Sequence, residues 1–455
     1  MFPESLKHAK VNPLYKNGPK EDIKNYRPIS VLPIFDKVFE KTMHTRLVKF
    51  LEKNNYLDDN QYGFQKGKST SSAVLHLSRL IKRCLVNKEY GCAIFLDLAK
   101  AFDTVNHDLL IKKLNNLGVR GPILEWFQSY LENRLQTVVI NGVKSDPLVM
   151  SHGVPQGSVL GPLLFLIYIN DLSLNTSLTS ILFADDTCLF LSDKCPNRLE
   201  TTINQELEKI SGWLTSNKLT LNVSKSNFIL FYGKHNKIKN FHLNISGEKL
   251  QNTNTCKYLG VFIDEKLNWK HQVNVVSTKV KHGVGMIHKI GRFVTKKDLM
   301  SLYYSLIQSH LTYCITSWGG PETSGLHQLN KLIIKCSKFI NNKTNDNIDQ
   351  ENFNPIHIQN LFNLESCKLV HKFLNNTLNK SFSDLFTRHP RPHDINLPVR
   401  RDSKNSVAVT HFDQTDCSVM FNAPLVWRQF DCYKSVNSSL QTLSHHLKKR
   451  LVLAQ

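Results

Sequence analysis

The chain has 455 residues, 41% hydrophobic and 21% charged, a balance that excludes both a disordered and a membrane-embedded protein and leaves room for several subdomains sharing interfaces. Lysine and arginine number 58 against 37 acids, a formal charge of +21, which suits a polyanionic partner. A basic protein with no such partner is the alternative, but residues 266–345 carry twelve Lys/Arg against only Asp298 and Glu322, and a charge so concentrated favours the partner.

In chain order, residues 1–30 are rich in Pro, Lys and Asn and read as loops and short strands. Apolar periodicity at Phe35, Val38, Phe39, Met43, Leu47 and Phe50 predicts a helix from about Ile34 to Leu51, and Ser72 to Val86 reads as a second. GCAIFLDLAKAF is a strand, followed by helices from His107 to Leu117 and from Pro122 to Arg134, with Pro122 suited to a first turn. TVVINGVKS sets Asn141-Gly142 between β-prone runs, a type I′ hairpin signal. SHGVPQGS is a glycine-punctuated loop entering an apolar helix, and ILFADDTCLFL reads as two short strands around a tight turn. Arg198 to Leu214 is amphipathic, with Leu199, Ile203, Leu207, Ile210 and Leu214 on one face. SNFILFYG and KYLGVFID are two further strands. From Trp269 the pattern turns helical and basic, with Trp269 and Trp318 as core residues, and beyond about Glu351 it is irregular and histidine-rich. Without repeats or long linkers, this order predicts an α+β fold and not a doubly wound parallel sheet.

The ten cysteines never fall as C-x-x-C and no Cys/His cluster has zinc-finger spacing, which argues against structural zinc and for reduced thiols. MFPESLKHAK lacks the apolar core of a secretion signal, and VLGPLLFLIYI is too short to span a bilayer. The expectation is an intracellular protein of nucleus or cytoplasm with no membrane association, its sequons at Asn175, Asn222 and Asn244 unused.

Two adjacent carboxylates, Asp185 and Asp186, interrupt the apolar run ILFADDTCLF. Alone they would be ordinary turn residues, since Asp bonds its own backbone there. A third, Asp97, ends the apolar strand in AIFLDLAK, where an unpartnered charge is expensive. Two such strands side by side would converge their carboxylates, and converging carboxylates call for hard cations such as Mg²⁺, which takes substrate phosphates as further ligands. Two such ions serve nucleotidyl transfer.

At these residues the chain resembles the reverse transcriptases of non-LTR (LINE-type) retrotransposons, most of all their jockey-like branches. The matching blocks run in one order from Leu6 to Asp264: LKHAKVNPLYKNG, NYRPISVLP, QYGFQKGKSTSSAV, FLDLAKAFDTVNH, GVPQGSVLGPLLFLIYINDL, FADD, LNVSKSNFILF and KYLGVFID, with a thumb-like stretch to about residue 345. The resemblance implies a right-hand polymerase fold. Fingers would span 1–90, a palm with an antiparallel sheet 91–265 (with 108–150 contributing to the fingers), a basic helical thumb 266–345, and a C-terminal tail of unknown role 346–455. It implies an RNA-directed DNA polymerase using two Mg²⁺ ions, or Mn²⁺, with an RNA template, a DNA primer and dNTPs.

Carried over by position, Asp97 and Asp185 resemble the direct metal ligands, Asp186 the more peripheral third, and Leu98 supplies a carbonyl. Phe102 falls where the family keeps a ring under the nucleotide sugar, excluding a 2′-hydroxyl; plain core is the competing role. Lys16 and Arg27 lie in segments that fold over the triphosphate, with Lys20 or Lys24 as substitutes for Lys16 and ordinary surface charge as the alternative for both. Gln156 and Gly157 resemble residues lining the nascent base pair and sugar. Lys225 matches a lysine proposed to protonate pyrophosphate, a merely solvated lysine being its competitor. Gln61, Phe64, Lys66 and Lys68 fall in the template-contacting segment, and Lys257, Tyr258, Leu259 and Gly260 in the primer-gripping strand. Family members begin further upstream, often with an apurinic-type endonuclease, so a truncated copy or incomplete gene model without a nicking nuclease is the expectation here. Rival readings are a non-catalytic nucleic-acid-binding relic and an RNA-dependent RNA polymerase, the second disfavoured by Phe102. A splicing-associated maturase shares the fold but usually has a different tail.

Overall fold

Strand Tyr90–Asp97 is buried at every position between its half-buried ends, the pattern of a strand covered on both faces. In the computed structural model, which describes residues 1–233, 238, 240–343, 352–378, 382, 387–388, 407–408, 427 and 439–453, it is the centre of a five-stranded sheet. Asp186–Asp193 and Asn227–Phe231 flank it antiparallel, Thr179–Phe183 lies outside the first, and Gln251–Asn252 outside the second. The two-residue alternation of a strand sends Ala93 and Phe95 to one core, with Val74, Leu77 and Ile81 of helix Thr70–Val86. It sends Cys92, Ile94 and Leu96 to the other, with Leu164 and Phe165 of helix Gly161–Ile169 and Leu207 and Ile210 of helix Pro196–Ser216. The fold is α+β, as expected.

A second sheet is built on His8–Tyr15, antiparallel to Tyr26–Val31 and parallel to Leu135–Ile140. The last of these turns back to Val143–Lys144 through Asn141 at φ 51° and Gly142 at φ 86°, the type I′ turn expected. Helices Lys270–Ile290, Lys296–Tyr303 and Leu326–Asn341 form the basic lobe, where Trp269 and Trp318 are core residues. No helix among the described residues is long and apolar enough to cross a membrane, and the eight cysteines described, from Cys84 to Cys367, are free thiols.

Three elements depart from the sequence reading. KYLGVFID is a hairpin, Thr255–Tyr258 against Val261–Asp264, because Leu259 and Gly260 both take positive φ (46° and 81°); leucine rarely does so, and the turn leaves little trace in sequence. In the stretch taken as irregular, helix Ile358–Leu374 packs Leu361, Phe362 and Leu364 into the core of the basic lobe, joined by helix Leu440–Leu453. Helix Ile34–Lys53 forms where expected but is rotated in its first half: Ile34 and Phe35 are 80% and 71% exposed while Asp36 and Glu40 are fully buried. Asp36 pairs with buried Arg134 at 3.1 Å, and Glu40 accepts from the Tyr130 hydroxyl and from Val159 N at 2.6 Å. Buried charge demands partners, and these fix the rotation against the apolar stripe. Leu47 and Leu51 restore the usual inward face further on.

Candidate active site

Register, and not sequence spacing, assembles the carboxylates. Asp97 is the last residue of its strand and lies directly across from Asp186. Phe183 pairs with Asp186, so Ala184 and Asp185 form a two-residue turn, with Ala184 at φ 55°. The strand end is pinned from the other side: Asp97 N donates to Ser226 Oγ at 3.1 Å, Asn222 N to Asp97 O at 2.8 Å, and Ala99 N to Thr220 O at 2.8 Å. Leu98 bridges Leu221 with its side chain buried. These contacts also fasten the short 3-10 turn Val223–Lys225 beside Asp97, with Lys225 exposed at its end.

Partial loss of water is the largest cause raising the Asp185 carboxyl above the usual carboxylate range, with the charge of Asp97 adding to it. Asp186 is pushed up to about 6 by the same loss of water, then by Asp185 and Asp97. Arg27 and Lys16 act in the opposite direction on both carboxyls. The two cations belong to one end of the second sheet, where Arg27 pairs with Leu14 and Lys16 N donates to Asn25 O at 2.8 Å. Of the substitutes for Lys16, Lys20 sits over the Tyr15 ring at 5.8 Å. No trio of His, Cys, Asp or Glu side chains among the described residues closes into a ready-made metal cage. The chemistry of the donor set nevertheless fits a hard divalent ion that keeps waters and takes phosphate oxygens: mutually repelling carboxylates at an open strand end are what such an ion relieves.

Phe102 is half-buried and stacks on Phe165 at 4.5 Å and 25°. The loop carrying Gln156 and Gly157 is held against it by Val154 N to Phe102 O at 2.8 Å and Gly153 N to Val105 O at 2.7 Å. Gly153 (φ 86°) and Gly157 (φ 123°) permit this approach, since an added Cβ would lie 2.7 Å from Asp103 O and 2.5 Å from Ser30 O respectively. Sequence reasoning missed Asp103, whose Oδ1 accepts from Gln156 Nε2 at 2.8 Å and so orients the amide. Its only signal was a polar residue directly after Phe102.

The nucleic-acid candidates divide. Phe64 (φ 52°) and Lys66 are exposed, and Phe64 meets the Phe102 ring edge-on at 6.4 Å. Lys257 and Gly260 are exposed on their hairpin, and the Leu259 carbonyl accepts from the Tyr313 hydroxyl at 2.6 Å. Gln61 and Tyr258 correct the expectation. Gln61 is 1% exposed behind the aspartate turn, and Tyr258 is buried on Phe95 with its hydroxyl donating to Ile181 O at 3.3 Å, so both side chains are turned into the interior. Lys68 turns inward to the carbonyls of Asp58, Asp59 and Gln61. In all three, interior partners have claimed polar groups that sequence position alone would give to a ligand.

Residues 18–263 match the family described as reverse transcriptase (RNA-dependent DNA polymerase). Among curated relatives, the probable RNA-directed DNA polymerases from transposons X-element and BS of Drosophila melanogaster are each 30% identical, over 75% and 74% of this chain and 39% of their own. The RNA-directed DNA polymerase from mobile element jockey of the same fly is 26% identical over 74% of this chain and 38% of its own. The chain thus spans well under half the length of these relatives. Solved structures overlap distantly: apo telomerase from Candida tropicalis at TM-score 0.43 and 11% identity, covering 84% of this chain and 68% of that one, and the RNA-dependent RNA polymerase of a human picobirnavirus at 0.36 and 12%, covering 74% and 62%. The family match brackets Asp97, Phe102, Gln156, Asp185 and Asp186 and extends over most of both sheets, and the chain belongs to the reverse transcriptase family.

Proposed function

We propose that the chain is the RNA-directed DNA polymerase of a non-LTR retrotransposon, joining dNTPs to a DNA primer on an RNA template. Its carrying observation is the pairing of Asp97 with Asp186 beside the Asp185 turn, within the electrostatic reach of Arg27 and Lys16. In this reading 1–90 with part of 108–150 forms fingers, 91–265 the palm, 266–345 the thumb, and 346–455 a tail of undefined role. The exchange between 1–90 and 108–150 agrees with the parallel pairing of His8–Tyr15 and Leu135–Ile140.

Asp97, Asp185 and Asp186, with the Leu98 carbonyl, would hold two Mg²⁺ ions, which when bound lower the pKa of the attacking hydroxyl and neutralise developing charge. Arg27 and Lys16 bind the triphosphate from the fingers side, a planar guanidinium matching phosphate oxygens. Phe102, braced by Phe165, meets the sugar and leaves no room for a 2′-hydroxyl. Asp103 holds the Gln156 amide nitrogen, so its oxygen is left to face the nascent pair. The primer 3′-oxygen attacks the α-phosphate and pyrophosphate leaves, with Lys225 available to protonate it. Phe64 and Lys66 serve the template, and Lys257 and Gly260 the primer.

The deciding measurement is extension of a DNA primer on an RNA template with Mg²⁺ and dNTPs, parent against Asp185→Ala. The parent extends and the variant falls by about 10²- to 10³-fold or more, the scale on which loss of preorganised electrostatic stabilisation slows a reaction. Tight primer-template binding with no extension by either protein would instead establish a non-catalytic relic.

A further inference from the structure

Gln61 reaches the site from behind. Its segment is laced to strand Thr179–Phe183, with Leu182 N donating to Asn60 O at 2.9 Å and Tyr62 N to Leu182 O at 2.6 Å. The Gln61 Oε1 atom accepts two backbone N–H groups, from Gly63 at 2.9 Å and from Ala184 at 3.0 Å. Ala184 is the positive-φ residue immediately before Asp185. The two chains come so close that a Cβ on Gly63 would lie 2.5 Å from Ala184 N. The buried Nε2 atom makes no hydrogen bond, so the polar work of this side chain is all in one oxygen. A buried glutamine with an orphaned amide is costly, and it is placed where it holds an L-residue in a conformation that residue disfavours.

Resting on the polymerase reading, we propose that Gln61 is a positioning residue for Asp185. Its oxygen fixes the Ala184-Asp185 turn against Asp97, and it makes no contact with template. The same short segment ends at Phe64, 59% exposed and edge-on to Phe102, so it couples the carboxylate turn to the ring beneath the sugar. Without the acceptor, Ala184 N and Gly63 N lose their partner, and the turn relaxes toward ordinary backbone.

The test compares the parent, Gln61→Leu and Asp185→Ala in three measurements. Mn²⁺ binding is read by electron paramagnetic resonance without nucleic acid, primer-template affinity by fluorescence anisotropy, and single-dNTP insertion by kcat and KM. Gln61→Leu weakens Mn²⁺ binding and lowers kcat by about 10- to 100-fold, the range for lost outer-shell support of metal ligands, while primer-template Kd stays within about twofold. If it fails to melt cooperatively, Gly63→Ala serves instead, since its Cβ pushes the same turn while leaving the oxygen in place, and it gives the same split. Primer-template Kd rising about tenfold with Mn²⁺ binding and kcat unchanged overturns the proposal in favour of a template contact. Unchanged values throughout overturn it as well. A parent that extends no primer counts against the polymerase reading alone, because Mn²⁺ binding still reports whether Gln61 supports Asp185.

Discussion

Asp186 opens its strand on the solvent side, yet its carboxyl is raised to about 6 by lost hydration and by Asp185 and Asp97. A carboxyl whose folded pKa lies above its unfolded value favours the fold only while protonated, so the metal-free protein loses stability as pH rises from about 4 through about 6. Asp186→Asn removes this repulsion. Its melting temperature should exceed the parent's at pH 7.5 without metal, and the gap should close toward pH 4, as scanning calorimetry across that range would show; an equal gap at both ends refutes the electrostatic origin. Phe102 carries the second prediction at this scale. Phe102→Ala opens the space over Phe165, and discrimination between dNTP and rNTP, measured as the ratio of kcat/KM, should fall by at least about 10²-fold. Tenfold is about 1.4 kcal/mol, so the change is that of a lost steric exclusion of roughly 3 kcal/mol. Asp97, Asp185 and Phe102 were legible as candidates from motif position, because Asp97 ends an apolar strand, Asp185 interrupts another apolar run, and Phe102 follows Asp97 within one motif block. The hydrogen bonds of Gln61 and Asp103 were not, because the bond Gln61 Oε1 accepts from Ala184 N and the bond Asp103 Oδ1 accepts from Gln156 Nε2 span 123 and 53 positions and leave no local pattern.

At the scale of elements, helix Ile34–Lys53 is the instructive one. Its existence followed from periodicity, but its rotation did not, since period-based reading assumes that the apolar stripe faces inward. The Asp36–Arg134 pair and the Glu40–Tyr130 bond overrule the stripe, because an unpaired buried charge outweighs a few exposed methyl groups. Burial is the largest cause raising the carboxyls of Asp36 and Glu40, the charge of Asp36 adds to it at Glu40, and Arg134 opposes it in both. Arg134→Met leaves both acids without their cation and should destabilise the protein by about 3–5 kcal/mol, read from the shift of the urea unfolding midpoint. Replacing Phe35 and Val38 by serine, on the exposed face, should shift that midpoint hardly at all. A large loss from the serine variant and none from Arg134→Met would reverse this account of the helix. The hairpin Thr255–Tyr258 and Val261–Asp264 makes the same point for strands: its turn uses Leu259 at positive φ, against the residue preference on which sequence reading depends.

For the whole molecule, the charge of residues 266–345 finds its place on the outside of a helical lobe with an apolar interior. Lys279, Lys281, Lys289 and Arg292 are exposed, while Val280, Val284 and Ile287 between them are buried. Lys343 differs from these four, since its ammonium is bonded to the Gly291 carbonyl. If the lobe tracks a duplex, neutralising Lys279, Lys281 and Lys289 to Gln should weaken primer-template binding uniformly across sequences. Each substitution should lower the slope of log K against log salt by about 0.9, measured by anisotropy titration between low and moderate salt. The same change at Lys343 should leave that slope alone.

The amino-acid sequence by itself determined the family, the α+β order of elements, the three carboxylates, and the concentration of positive charge, because each rests on local pattern or on motifs read along one line. Tertiary structure alone decided which face of helix Ile34–Lys53 is inside, that Asp97 sits opposite Asp186, and that Gln61 and Tyr258 serve the interior. Those outcomes depend on register and on partners far apart in the chain, where the need to satisfy buried polar groups overrides what the neighbouring residues suggest.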